Sequence, residues 1–247
     1  MITSAPPSGY EVAYQIRTSE IDDQRLIRIP ALLQLMQEAS MQNVIQLSVS
    51  VWDLQGDSVS WVLLRKELTV HRYPTLNERI KVLTYPSGFD RVFAYRDYLV
   101  YDDKGMLVAS ASSTWTLMNL NSRKISRIPE SYAKYVEVGP DQRLPLPSTK
   151  IPLVSDVSDI FDYTFRNYDL DWNGHVNNVN LVKLLIEGLD PIQPQERPFQ
   201  FIYHIRAECR AGQKVTVSSA PMNEEKSYCS VRDEEGQLLV AAQAIWG

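Results

Sequence analysis

An internal repeat constrains this chain more than any other feature. Residues 105 to 115 read GMLVASASSTW and residues 236 to 246 read GQLLVAAQAIW, each behind an acidic segment, Asp102-Asp103-Lys104 and Asp233-Glu234-Glu235. Upstream, YQIRTSEIDDQRLIRIPALLQLMQE begins at Tyr14 and YTFRNYDLDWNGHVNNVNLVKLLIE begins at Tyr163. Tyr14/Tyr163, Arg17/Arg166, Glu20/Asp169, Ile21/Leu170, Asp22/Asp171, Leu32/Leu181, Leu35/Leu184 and Glu38/Glu187 fall in register. Two matched segments in the same order mark a duplicated unit. A chain of 247 residues then divides into halves of about 120, each long enough to bury a core.

Both units follow one pattern. A short alternating segment, Tyr14 to Arg17 or Phe161 to Arg166, reads as a strand because aromatic and branched residues recur at period two. A helix follows. In the first unit Pro30 suits an opening turn and Leu32, Leu35, Met36 and Ala39 form an apolar stripe; in the second, Val179, Val182, Ile186 and Leu189 keep the spacing, with Gly188 and Pro191 as stop signals. Strand-like runs come next: Trp61 to Val70, Glu78 to Thr84, Ala94 to Tyr101 and Leu107 to Leu117, then Phe199 to Cys209, Lys214 to Ser219, Tyr228 to Arg232 and Leu238 to Trp246. The pattern predicts an α+β unit, used twice, in which an antiparallel sheet wraps one helix. The stretch between them holds Pro140, Pro145, Pro147 and Pro152 and reads as an ordered or semi-extended linker. The expected division is 1–130, linker 131–159, and 160–247.

A duplicated fold needs its core in both copies but reactive groups only where chemistry occurs, so the differences rank candidates. Asp171, Asn173 and His175 stand opposite Asp22, Gln24 and Leu26. The second copy has a histidine where the first has leucine. Its segment lies between a strand and a helix expected to start near Val176 or Asn177. A helix N-terminus offers unpaired N–H groups and partial positive charge, suited to an oxyanion. An imidazole in that place can orient water or accept a proton at neutral pH. The plainer reading of Asn173, Asn177 and Asn178 is turn and cap chemistry, which Asn often supplies.

Other chemistries have less support. Asp169-Leu-Asp171-Trp-Asn173-Gly174 matches the start of a calcium loop, but Asn180 occupies the position that needs a bidentate Glu. Two cysteines and three histidines are too few for a multi-thiolate or multi-histidine metal centre. No phosphate loop, dinucleotide fingerprint or serine nucleophile elbow occurs, so no cofactor is expected. The net charge of −5 provides no basic field for nucleic acid or anionic lipid. The first ten residues lack a targeting pattern and no run is long enough to span a bilayer, so neither nucleic acid nor membrane is an expected partner and a cytoplasmic location is expected.

The segment Leu170-Asp171-Trp172-Asn173-Gly174-His175-Val176-Asn177-Asn178-Val179 resembles the catalytic signature of the fatty acyl-ACP thioesterases, known from plant plastids and from bacteria. Arg206-Ala-Glu208-Cys209, Trp115-Thr-Leu-Met-Asn119 and Tyr73-Pro74 are similar as well, so the likeness runs from about Gly9 to Trp246. It departs at Trp172 and Gly174, neither of them a reactive group, and it lacks a plastid leader, as in a bacterial member.

That resemblance implies tandem hotdog domains and hydrolysis of acyl-ACP to fatty acid and holo-ACP, the step that terminates fatty acid synthesis. It implies a site of Asp171, Asn173, His175 and Glu208, with Cys209 beside them. Two routes stay open: Glu208 or Asp171 as general base or direct nucleophile with His175 and Asn173 orienting the participants, or Cys209 as a nucleophile activated by His175. The carboxylate route is favoured, because a strand cysteine is commonly a small buried residue.

With catalysis in the second unit, the first is free to hold the acyl tail, lined by Leu32, Leu33, Met36 and Trp61. Acyl carrier protein is the implied partner, docking on Arg123, Lys124 and Arg127 or on Arg206, Arg210 and Lys214. A monomer or homodimer fits a tandem arrangement. Rival functions are an acyl-CoA thioesterase, a hotdog dehydratase of 3-hydroxyacyl thioesters, and an acyl-thioester binding protein without turnover.

Overall fold

Hairpin signals and apolar alternation become strands in the order that the repeat predicts. The structure, a computed structural model, describes residues 2–194 and 196–247. It divides into two compact units, Met1–Pro147 and Ser148–Gly247. In unit one, β1 (Tyr10–Gln15) leads to α1 (Ile29–Gln46), then β2 (Val59–Val70), β3 (Arg79–Phe89), β4 (Phe93–Asp102), β5 (Leu107–Asn119) and the short β6 (Ile125–Ser126). In unit two, β7 (Ser158–Thr164) leads to α2 (Asn178–Leu189), then β8 (Gln200–Ile205), β9 (Lys214–Pro221), β10 (Lys226–Asp233) and β11 (Leu238–Ile245). Neighbours run β1-β3-β4-β5-β2 in the first unit, with β6 on β5, and β7-β9-β10-β11-β8 in the second, every pair antiparallel. Strand for strand the order is the same.

The repeat extends to individual hydrogen bonds. Asp102 N–H donates to Met106 O at 2.9 Å and Asp233 N–H to Gln237 O at 3.1 Å, and each turn is closed by a glycine at positive φ, Gly105 and Gly236. Ile16 N–H donates to Glu78 O at 2.9 Å and Phe165 N–H to Gln213 O at 3.1 Å, while Asn77 and Gly212 return the bond from the left-handed region.

Each helix buries one face on its sheet. Pro30 stands in the first turn of α1, where its missing N–H costs nothing, and Leu32, Leu33, Met36 and Ala39 turn inward. In α2, Asn177 caps the start by accepting from Val179 N–H, and Val179, Val182, Leu185 and Leu189 are buried. Gly188 brings the helix backbone close to the sheet: a Cβ there would stand 2.6 Å from Val217 Cγ1 and 2.8 Å from Cys229 Sγ. Gly188→Ala is therefore expected to destabilise the fold by about 1–3 kcal/mol through overpacking, measured as a lower denaturation midpoint. An unchanged midpoint would show that the helix shifts freely on the sheet.

The stretch after β6 is tied down. Ser8 bonds Glu137 Oε2 and Tyr135 O, and Leu144 N–H donates to Asp97 Oδ2 at 2.8 Å. Farther on, Ile151 joins a cluster with Ile202, Tyr228 and Ala241. Among the described residues no helix is long and apolar enough to cross a membrane.

Candidate active site

The segment connecting β7 to α2 is built from three nested turns. Arg166 N–H donates to Asp169 Oδ2 at 2.7 Å, and Tyr163 Oη donates to the same oxygen at 2.9 Å. Asp171 N–H then reaches His175 O at 2.8 Å while Asp171 Oδ1 accepts from Asn173 N–H at 2.8 Å and His175 N–H at 3.3 Å. Gly174, at φ 76°, turns the chain in the middle. Val176 N–H finally donates to Cys209 O at 2.9 Å and Asn177 N–H to Asp169 O at 2.9 Å. The Val176 bond ties the loop to the segment that follows β8, and the Asn177 bond closes the loop on itself.

The sequence places Arg206 to Cys209 on a strand, but β8 ends at Ile205. Arg206 N–H and Ala207 N–H both point at Leu239 O, at 2.8 and 3.3 Å, so the ladder breaks and the chain swings out. The swing delivers Glu208. His175 Nε2 lies 3.4 Å from Glu208 Oε2, with about a quarter of each side chain exposed. On the other edge of the ring, Asn173 Nδ2 lies 3.3 Å from His175 Nδ1. The tautomer in which Nδ1 accepts from that amide carries its ring proton on Nε2, the nitrogen nearer Glu208. Asn173, His175 and Glu208 thus form a chain, with Asp171 beneath them as the fastening of the loop.

Unit one supplies a comparison inside the same molecule. Asp22 N–H donates to Leu26 O at 2.9 Å, and Asp22 Oδ1 accepts from Gln24 N–H at 2.9 Å and Leu26 N–H at 3.0 Å. Arg25, at φ 64°, occupies the place of Gly174. Ile27 N–H donates to Pro74 O at 2.9 Å, as Val176 does to Cys209. Asp22 and Asp171 therefore do the same work in both loops, whereas Leu26 and Tyr73 stand where unit two has His175 and Glu208. The contrast between the units lies in the imidazole and in the carboxylate that faces it.

Cys209 is 1% exposed. Burial, with the negative charges of Asp233 and Glu208, pushes its thiol up to about 12. The thiolate needed for nucleophilic attack is scarce at neutral pH. The helix start also differs from the sequence expectation of free donors: Asn177 takes Val179 N–H with its side chain and Asn180 and Leu181 N–H with its carbonyl. Of the proposed chain-lining residues, Leu32, Leu33 and Met36 are buried on α1, and Trp61 packs beside Leu54, Leu117 and Ile128 with its Nε1–H on Val49 O at 2.9 Å.

Sequence reasoning missed Asp169 as a brace, although its register with Glu20 was visible. Arg17 N–H donates to Glu20 Oε2 at 2.8 Å in the matching turn of unit one.

Residues 7–136 match the family model of the acyl-ACP thioesterase N-terminal domain, and residues 154–247 match that of the C-terminal domain. A palmitoyl-acyl carrier protein thioesterase of Arabidopsis thaliana is 31% identical over 74% of this chain and 48% of its own length. An acyl-[acyl-carrier-protein] hydrolase of Cuphea viscosissima, a chloroplast protein, is 26% identical over 94% of this chain and 61% of its own length. The chain thus spans about half to three-fifths of those plant relatives. In fold it is similar to an acyl-ACP thioesterase from Bacteroides thetaiotaomicron, at TM-score 0.85 and 21% identity over 97% of this chain and 98% of that one. It is similar also to the 12:0-ACP thioesterase from Umbellularia californica, at TM-score 0.84 and 23% identity over 99% of both chains. The fold is the double hotdog, and the chain belongs to the acyl-ACP thioesterase family.

Proposed function

We propose that the chain hydrolyses the thioester of acyl-ACP, releasing a fatty acid and holo-ACP. The observation that carries this reading is the His175–Glu208 pair, 3.4 Å apart, set on a loop whose twin in unit one keeps the geometry and lacks both groups. Glu208 is the general base. It removes a proton from a water as the water oxygen attacks the thioester carbon, and the carbonyl electrons move onto oxygen. Collapse of the tetrahedral adduct breaks the C–S bond; the leaving sulfur takes the proton back from Glu208, and the new carboxylic acid ionises to solvent. His175 Nε2–H and the Asn173 amide orient the water and the carbonyl, and Asp171 holds the loop that carries them. Unit one is assigned the acyl tail, on Leu32, Leu33, Met36 and Trp61.

Cys209 takes no covalent part in this scheme. Cys209→Ala is expected to keep kcat/KM for acyl-ACP within about 3-fold of the parent, because the substitution removes one buried sulfur and leaves the reacting groups untouched. Complete loss of turnover in a folded Cys209→Ala protein would restore the thiol route. The partner surface is the exposed group Arg206, Arg210 and Lys214, whose first two members flank Glu208 and suit an acidic carrier. Arg210→Glu should slow acyl-ACP hydrolysis, most strongly at low salt.

The deciding experiment measures thiol release from a series of acyl-ACPs and the matching acyl-CoAs. Faster turnover of acyl-ACP supports the reading, and equal or faster turnover of acyl-CoA moves the assignment to a CoA thioesterase. Absence of thiol release from both series, by folded protein, would sink it.

A further inference from the structure

Unit one carries charge in its interior where unit two does not. Register pairs Lys66 of β2 with Ser113 of β5, and Ser113 with Arg96 of β4. The matching row of unit two is Phe201, Ala244 and Ser227. One step along, Leu68, Ala111 and Tyr98 of unit one stand opposite Tyr203, Ala242 and Cys229. The double-hotdog architecture is therefore built once with a cationic row and once without it, so the fold itself does not require the cations.

These groups are deeply buried and incompletely satisfied. Lys66 is 3% exposed, Arg96 8% and Tyr98 0%. Lys66 Nζ lies 3.8 Å from the Tyr98 ring centroid, and among the described residues it has neither a hydrogen bond nor an ion pair. Tyr98 Oη is buried near the Ser40 and Ser113 hydroxyls, without a well-formed hydrogen bond to any described residue. Among the described residues Arg96 Nη1 donates to two neutral oxygens, Asn43 Oδ1 at 2.7 Å and Thr84 Oγ1 at 3.2 Å. Asp97, next along β4, points to the opposite face, where its oxygens accept from Ser87 Oγ and Leu144 N–H. Burial and the like charge of Arg96 push Lys66 down to about 7. Buried charges are normally paired, and here two cations share one row of the sheet with no ion pair to either among the described residues.

The neighbouring helix indicates what carries the anion. Met36, Ser40 and Asn43 share the buried face of α1, and seven residues of helix span about 10 Å. An aliphatic chain lying against Met36 would end at the Asn43–Arg96 contact. We propose that Lys66, Arg96 and Tyr98 form a carboxylate-binding site inside unit one, occupied by an aliphatic chain ending in a carboxylate. Two carboxylates fit that chemistry: the product fatty acid, or the far end of an acyl chain that is itself a dicarboxylate. The Lys66 stem turns its ammonium from the Tyr98 ring to the ligand, and Tyr98 Oη donates to the second oxygen.

Direct binding to the full chain, measured by calorimetry with octanoate and 1-octanol, tests the site without any turnover, so an inactive protein does not obscure the result. Octanoate is expected to bind at least 10-fold more tightly than the alcohol, and Lys66→Met, which keeps the volume and removes the charge, should reduce that preference to under 3-fold. Arg96→Met is the second variant. Equal binding of acid and alcohol by the parent chain overturns the proposal, as does a carboxylate preference that survives in both variants. Given the preference, faster hydrolysis of ω-carboxyoctanoyl thioester than of octanoyl thioester assigns the carboxylate to the substrate. Inhibition by octanoate without that acceleration assigns it to the product.

Discussion

Lys66→Met is expected to be more stable than the parent chain, by on the order of 4 kcal/mol at pH 6. Lys66 is buried in unit one beside Arg96, and its amine is pushed down from 10.5 to about 7. The unfolded chain holds the Lys66 proton until about pH 10, whereas the folded chain releases it near 7. Between those values the unfolded state binds more protons, so this group makes stability rise with pH; below 7 both states are protonated and the full cost of burying the charge remains. The Met variant should lose that rise, and its advantage should shrink toward zero by about pH 10. Contact with the Tyr98 ring recovers some of the cost in the parent, about 1–2 kcal/mol for a desolvated cation over an aromatic face. Urea titrations of both proteins at pH 6, 8 and 9.5 check this directly. A Met variant less stable at pH 6, with the parental pH slope, would mean that the ammonium has a partner after all.

The second large effect is catalytic. His175→Ala and Glu208→Gln should each lower kcat/KM for acyl-ACP by about 10²–10⁴, the range for losing a positioned acid–base group, or about 3–5 kcal/mol of transition-state stabilisation. Their proximity, 3.4 Å between Nε2 and Oε2, makes the two losses overlap. The double variant should be hardly worse than the worse single one, because groups acting as a unit are non-additive. Fully multiplicative losses would separate the roles of the two residues, and parental activity in Glu208→Gln would remove Glu208 from the mechanism. Circular dichroism of each variant confirms that the fold persists, as expected for side chains about a quarter exposed.

The repeat was legible because glycine turns and alternating apolar words carry their own register, and the observed strand orders of both units follow it. The Asp171-to-His175 segment was legible because it differs from its twin by side-chain type. The equivalence of Glu208 with Tyr73 was hidden: the helix and the strand after it have 12 and 6 residues in the second unit against 18 and 12 in the first, so the two fall out of step with the upstream match. Where β8 ends was equally hidden, since the break comes from two N–H groups sharing Leu239 O, a backbone event without a residue signature. Nothing in Arg65-Lys66-Glu67 shows which side chain turns inward. A register shift between Leu63 and Arg65 decides that, and from sequence alone three consecutive charges read as a solvated face.

The likeness of the two loops also defines a reserve within the molecule. In unit one, Asp22 already holds its turn, Arg25 already accepts the left-handed backbone, and Pro74 O already fastens Ile27. Gln24, Leu26 and Tyr73 stand at the positions of Asn173, His175 and Glu208, so Gln24→Asn, Leu26→His and Tyr73→Glu would write the second unit's constellation onto a loop that already makes the same turn bonds. On the proposed function, the first unit's loop stands three substitutions from a second copy of that constellation, and it is where new chemistry can be installed without disturbing the old.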